Sequence, residues 1–109
     1  MTTSASATAS ARITAEVASW PGVTAGPGPR GELGFRAGRR EIGHLHGDRV
    51  AHFGFPRAVW RALIDAGRIV RHPIDRDGWG ARPIHGPEDE AEVIALMRLN
   101  YDRAVAAAR

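Results

Sequence analysis

Two glycine-containing turns divide residues 32–55 into three short segments, and this spacing limits the possible folds more than any other feature. The segments cover residues 32–36, 39–48 and 50–55, and they are joined at Gly38 and Gly47. In the first segment Leu33 and Phe35 alternate with polar residues, which is typical of a strand with one buried face. Connections this short join neighbouring antiparallel strands. The sequence therefore predicts an antiparallel meander in the middle of the chain.

The flanking segments predict helices and further strands. Three apolar stripes have helical spacing, at residues 13–20, 56–66 and 87–105. Short strands are predicted at residues 23–25, 68–74 and 79–84, and Trp20 and Trp60 are assigned to the core. The resulting order, α-β-β-β-β-α-β-β-α, predicts an α+β fold with an antiparallel sheet of five to six strands and helices packed on one face.

Length and composition restrict the classes of protein to which the chain could belong. Its 109 residues suit one domain; residues 1–11 predict a disordered tail and residues 12–109 a single α+β domain. The absence of cysteine excludes disulfides and thiolate sites. All 15 basic residues are arginine, but the net charge of +3 is too small to favour nucleic acid. No apolar run approaches the roughly 20 residues of a membrane helix. We expect a cytoplasmic protein without membrane contact, and a homodimer is compatible with its size.

A row of polar residues in the segment 39–48 is the best candidate for a site. In a regular strand alternate side chains share a face. One face would then carry Arg40, Ile42, His44, His46 and Asp48, and the other Glu41, Gly43 and Leu45. Two neighbouring imidazoles with an arginine and a carboxylate in the same row favour a binding surface on the sheet.

Three kinds of chemistry fit this surface, and the capture of a small anionic molecule is the first. Arginine forks suit carboxylates and phosphates, and imidazoles add further donors. The candidate ligand-binding residues are Arg36, Arg40, His44, His46, His72 and Trp79.

The second possibility is acid–base catalysis, because histidine titrates near neutral pH and a carboxylate can orient it. Its candidate residues are His44, His46 and Asp48, with Glu41 as another orienting carboxylate. The third is a metal site at the His-x-His pair, with a third ligand from Asp48, His72 or Glu32. One His-x-His pair without a defined third ligand does not define a metal site, and arginines 36, 39 and 40 also disfavour a cation there, so no metal ligand is assigned. The sequence implies no cofactor.

Several ordered motifs resemble the small bacterial proteins of the luciferase domain family. They are the run 38–48, then Phe55-Pro56-Arg57, and then His72 ahead of Gly78-Trp79. The resemblance covers residues 13–105 and implies a compact α+β domain, but the family is also described as one of unknown function. The sequence has no flavin-binding pattern or adenylate-forming signature. Relatives tend to have Ser-Gly-Trp where this chain has Asp77-Gly78-Trp79, so no role is expected for that hydroxyl.

Overall fold

A computed structural model describes residues 7–108 and contains three helices and six strands in the predicted order. The helices are α1 (Ala9–Val17), α2 (Arg57–Asp65) and α3 (Pro87–Ala107). The strands are β1 (Val23–Pro27), β2 (Leu33–Ala37), β3 (Arg40–His46), β4 (Val50–Gly54), β5 (Val70–Arg71) and β6 (Trp79–Pro83). The α+β class is therefore confirmed.

All six strands belong to one antiparallel sheet with the order β1-β2-β3-β4-β6-β5. The predicted meander corresponds to β2, β3 and β4, whose short turns make consecutive strands neighbours. Strand β6 then pairs with β4 and leaves β5 at the edge. The middle of the sheet is therefore formed by β3 and β4, the two strands that carry most of the histidines.

The helices cover one face of the sheet and enclose a single hydrophobic core. Ile13 and Val17 of α1 and Leu96 of α3 are completely buried in it, as is Phe35 of β2. Burial of such side chains is the main favourable contribution to folding. Trp20 and Trp60 are buried, as predicted; α3, which contacts both α1 and β3, holds this layer against the sheet.

Two segments differ in extent from the prediction. Strand β5 has only two residues instead of seven, because Pro73 cannot donate to a ladder and the chain turns away beside it. At the other end, residues 9–11 of the expected tail form the first turn of α1, where the Thr8 side chain accepts a hydrogen bond from the amide of Ala11 at 3.0 Å. Residues 1–6 of that tail lie outside the described residues.

Within residues 7–108, no helix combines the length and the apolar character that a bilayer span requires.

Candidate functional site

A bulge in β3 decides which side chains reach the uncovered face of the sheet. Phe35 of β2 pairs with Gly43, whereas the next residue, Arg36, pairs with Glu41. Ile42 is therefore the extra residue on β3 and has no partner on β2. An insertion of this kind interrupts the alternation of the strand and bends it.

Because of the bulge, the two halves of β3 have opposite alternation. Ile42 and Leu45 are three residues apart, yet both are buried in the core. His44 points to the uncovered face, whereas Arg40 lies on the helix side, where it lines a shallow cavity with Ala104 of α3. The prediction that Arg40, Ile42 and His44 share a face is therefore wrong, since it assumed an unbroken strand.

Four histidines meet on the uncovered face. His44 and His46 are neighbours on β3, with ring centroids 5.0 Å apart. His52 of β4 pairs directly with His44 across the sheet, and its ring centroid lies 4.5 Å from that of His46. His72, just beyond β5, lies 4.2 Å from His52 by the same measure. We call these four residues the histidine cluster.

Glu41 orients one member of the cluster. Its Oε2 atom lies 2.7 Å from Nδ1 of His44. The contact depends on the bulge, because the skipped residue places Glu41 on the same face as His44. When the Nδ1–H group of a neutral His44 donates a hydrogen bond to this carboxylate, the Nε2 atom of His44 keeps a free lone pair.

The backbone fixes the polarity of the contact between His72 and His52. The amide of Ile74 donates to Nδ1 of His72 at 2.9 Å, so a neutral His72 carries its proton on Nε2. That Nε2 atom lies 3.2 Å from Nδ1 of His52, which therefore accepts the hydrogen bond. Burial, followed by the neighbouring imidazoles, lowers the pKa of His52 to about 4, and burial also lowers the pKa of His72. Both rings are therefore neutral at pH 7.

A cavity of about 540 Å³ opens in front of the cluster. Its polar lining consists of Arg30, Glu32, Glu41, His44, His46, His52 and His72, and its less polar lining consists of Phe53, Gly54, Pro73, Ile74 and Trp79. Ile74 and Trp79 remain 53% and 38% exposed beside it. The cavity thus combines titratable groups with an accessible apolar surface.

Four of the candidate site residues lie together at this cavity. They are His44, His46, His72 and Trp79. The His72 ring meets the Trp79 ring edge-on, with centroids 5.1 Å apart. A ligand in the cavity could therefore contact all four.

The candidate carboxylates Glu32 and Glu41 also line the cavity, whereas Arg36, Arg40 and Asp48 do not. Arg36 is on the uncovered face, but its guanidinium donates to the carbonyl of Arg39 at 2.9 Å and borders a neighbouring groove. Arg40 lies on the helix side, as described above. Asp48 accepts a hydrogen bond from the amide of Ser10 at 2.8 Å and so stabilises the start of α1.

His52 and Arg30 were not among the site residues predicted from the sequence, whereas Glu41 was named as a carboxylate that could orient a histidine, as it does. The position of His52 could have been found by counting across the turn, because pairing His46 with Val50 places His52 opposite His44. Arg30 lies in the loop before β2, where no periodic pattern indicates which way a side chain points. Glu41 was assigned to the wrong face by the same unbroken alternation that misplaced Arg40.

Asp77, which stands where relatives tend to have serine, forms two ion pairs beside the site. Its carboxylate accepts hydrogen bonds from Arg57 of α2 at 2.7 Å and from Arg71 of β5 at 3.2 Å. The hydrogen bond from Arg57 and both positive charges lower the pKa of Asp77. A serine at this position could not form these two ion pairs, so Asp77 contributes to the position of the loop that carries His72.

The cluster also has the geometry to hold a metal ion. One ring nitrogen each from His44, His46 and His52 lies within 4.8 Å of the other two. Neutral imidazoles are common ligands of zinc and related ions. No metal ligand was predicted from the sequence, because the His-x-His pair had no defined third ligand and the neighbouring arginines disfavour a cation; the third member of the group, His52, was not considered.

Comparison with known proteins gives one match. A family model described as "Luciferase domain" matches residues 39–100, which extend from the end of the β2–β3 turn into α3 and include all four members of the histidine cluster. No curated protein and no solved structure matches the chain.

Proposed function

The chain belongs to the luciferase domain family, and we propose that this member binds a small anionic molecule in the cavity of the uncovered sheet face. The observation that carries the proposal is the cavity of about 540 Å³ between the histidine cluster and an exposed apolar wall. Pockets for small molecules have volumes of about 300–1,000 Å³ and combine an apolar lining with a few convergent polar groups.

Arg30 and the imidazoles would bind the anionic group. Arg30 is a cation in the lining of this cavity, whereas Arg36 and Arg40 are outside it. His52 and His72 are neutral at pH 7 because their pKa values are lowered. The Nε2–H of His72 already donates to His52, so His52 contributes the free N–H donor, at its own Nε2. An arginine fork together with neutral donors suits a carboxylate or a phosphate.

The two carboxylates of the lining are already engaged and need not exclude such a ligand. Glu41 is paired with His44. Glu32 accepts a hydrogen bond from the amide of Arg30 at 2.9 Å, and backbone hydrogen bonds lower its pKa. Their negative charges restrict the anionic group to the side of the cavity where Arg30 can neutralise it.

The apolar wall favours a ligand with a flat hydrophobic part. Trp79 and Ile74 are large apolar residues that remain exposed at the cavity. Exposed apolar surface at a concave site is typical of a binding site rather than of ordinary protein surface. We therefore expect a compact organic acid or phosphate ester with a planar apolar body.

A screen of anionic metabolites by thermal shift, followed by titration of each hit, tests the proposal. Arg30→Gln and Trp79→Leu are each expected to weaken binding at least tenfold, equivalent to about 1.4 kcal/mol. Arg36→Gln and Arg40→Gln are matched controls, because they remove the same charge outside the cavity. The proposal fails if no anionic compound stabilises the protein, or if the control variants weaken binding as much as Arg30→Gln does.

Acid–base catalysis is a second candidate, favoured by the 2.7 Å contact between Glu41 and His44. In this function His44 accepts a proton at Nε2 while Glu41 holds the proton at Nδ1. If a bound compound is converted, His44→Gln should keep its binding and lower kcat by about 10²–10⁴-fold. Asp48→Asn is the control, since Asp48 bonds to the start of α1. An unchanged kcat in His44→Gln would exclude this candidate.

A further inference from the structure

We propose that His44, His46 and His52 together bind one divalent transition metal ion of the zinc class. One nitrogen from each ring already lies within 4.8 Å of the other two. Three nitrogens bound tetrahedrally at zinc distances would be about 3.3 Å apart. Small rotations of the side chains would therefore close the site around an ion, without a change in the sheet.

The backbone holds the three rings in place. His44 and His46 are two residues apart on β3 and share a face, and His52 pairs directly with His44 from β4. These strands are the central ones of the sheet, so the three Cα positions are set by ladder hydrogen bonds rather than by loops. Sites built on such elements keep their geometry better than sites on loops.

Glu41 supplies an independent indication of a metal site. Metal-binding histidines usually donate their other ring N–H to a carboxylate or carbonyl, which fixes the tautomer and directs the lone pair at the ion. The 2.7 Å contact from Glu41 Oε2 to His44 Nδ1 has this form. The bulge that brings Glu41 to the cluster thus turns His44 into an oriented ligand.

The arginines named in the sequence analysis do not oppose a cation here. Arg39 and Arg40 line the shallow cavity on the helix side of the sheet, and the guanidinium of Arg36 donates to the carbonyl of Arg39. Glu32 and Glu41 place two carboxylates in the lining of the same cavity. Arg30 lines the cavity as well, but the two carboxylates outnumber it, so the charge of the lining favours a cation more than the sequence suggested.

His72 is a hydrogen-bond partner of His52 and is not a ligand in this proposal. Its Nδ1 atom accepts from the amide of Ile74 and its Nε2 atom donates to Nδ1 of His52. A neutral His52 therefore carries its own proton on Nε2, and an ion can bind there only if that proton moves to Nδ1, which breaks the hydrogen bond from His72. Because His72 favours the protonated form of that atom, His72→Ala should keep or strengthen metal binding.

Three protein ligands leave a coordination position open toward the cavity. Zinc sites with three histidines and an open position accept water or an anionic group as the next ligand. The ion would thus add positive charge to the cavity in which we propose that the anionic molecule binds. The metal site does not depend on that proposal, because the metal can be tested without any organic ligand.

Titration of the untagged protein with Zn²⁺, after dialysis against EDTA, tests the inference by calorimetry. Co²⁺ is used in parallel, since its visible absorption reports tetrahedral coordination. We expect one ion per chain. His46→Ala and His52→Ala should each weaken binding more than tenfold, and Glu41→Gln should weaken it by about tenfold or more. His85→Ala is the matched control, because His85 is an exposed histidine outside the cavity.

Three results would overturn the assignment. These are the absence of stoichiometric binding, equal binding by His46→Ala, His52→Ala and wild type, and a loss in His72→Ala as large as that in His52→Ala. Circular dichroism of each variant separates loss of the site from loss of the fold. Repeating the metabolite screen in EDTA separates the two proposals, because a compound that binds the metal-free protein supports the proposed function whatever the Zn²⁺ titration shows.

Discussion

His52 is the residue on which the properties of the histidine cluster depend most. Its ring contacts three other imidazoles, those of His44, His46 and His72, and its side chain is nearly buried. Burial and these neighbours all disfavour its charged form. The ring therefore remains a neutral hydrogen-bonding group under conditions in which an exposed histidine would begin to take up a proton.

We expect the lowered pKa of His52 to make the metal-free protein less stable as the pH falls from above 6.5 to about 4. In this range the unfolded chain binds a proton at this position and the folded chain does not, so the free energy of unfolding decreases. The loss is about 1.4 kcal/mol per pKa unit, or up to about 3 kcal/mol over the range. Urea unfolding in EDTA at several pH values measures it.

His52→Asn should reduce this pH dependence, whereas His85→Asn should leave it as in the wild type. Some dependence should remain in His52→Asn, because the pKa of His72 is lowered in the same direction. An identical slope in His52→Asn and wild type would contradict the environment described for His52.

At the level of elements, the bulge in β3 allows one strand to place Ile42 and Leu45 in the core and its two histidines on the uncovered face. Gly43 lies at the bulge and faces the helices. A Cβ atom at this position would lie 2.7 Å from Sδ of Met97 and 2.9 Å from the ring of Phe53. The glycine therefore permits the close approach of α3 to β3.

Gly43→Ala is expected to destabilise the protein by about 1–3 kcal/mol, because the added methyl group overfills a packed core. Gly26→Ala is the matched control, since a Cβ atom there would meet no atom within 4 Å. Denaturant unfolding of both variants gives the comparison. Equal stability of Gly43→Ala and wild type would show that α3 can move away without cost.

The sequence predicted the elements well but not the irregularity that forms the site. Helix α2 follows Pro56 and ends before Gly67, and strands β2 to β4 are separated by glycine turns, so local signals mark these elements. The bulge had one signal, the spacing of three between Ile42 and Leu45, which a regular strand cannot bury on one side. Arg30 reaches the cavity through a loop whose path depends on distant contacts.

At the level of the whole molecule, the carboxylate of Asp89 joins the start of α3 to the sheet. It accepts hydrogen bonds from Arg82 of β6 and, at 2.8 Å, from the amide of His85. Arg82 also donates to the carbonyl of Arg68, before β5, at 3.0 Å. One ion pair of low exposure thus connects the longest helix with the β6–β5 edge.

Asp89→Asn is expected to lower the free energy of unfolding by about 1–3 kcal/mol, because Arg82 loses a charged acceptor in a partly buried place. For a domain of this size each kcal/mol corresponds to about 4–8 °C in Tm. Asp102→Asn is the control, since its pair with Arg98 is exposed and should contribute less than about 1 kcal/mol. A larger loss in Asp102→Asn than in Asp89→Asn would contradict this account.

The unpaired position in β3 is the one place in the strand where the loss of a residue would spare the site. Removal of the codon for Ile42 would leave Phe35 opposite Gly43 and Arg36 opposite Glu41, so the strand would alternate strictly and every remaining side chain would keep its face. The core would lose one buried side chain, whereas Glu41 and the imidazoles would stay on the uncovered face. Loss of Leu45 would instead place His44 and His46 next to each other, on opposite faces, so the position of a gap in a related sequence indicates whether the site can be retained.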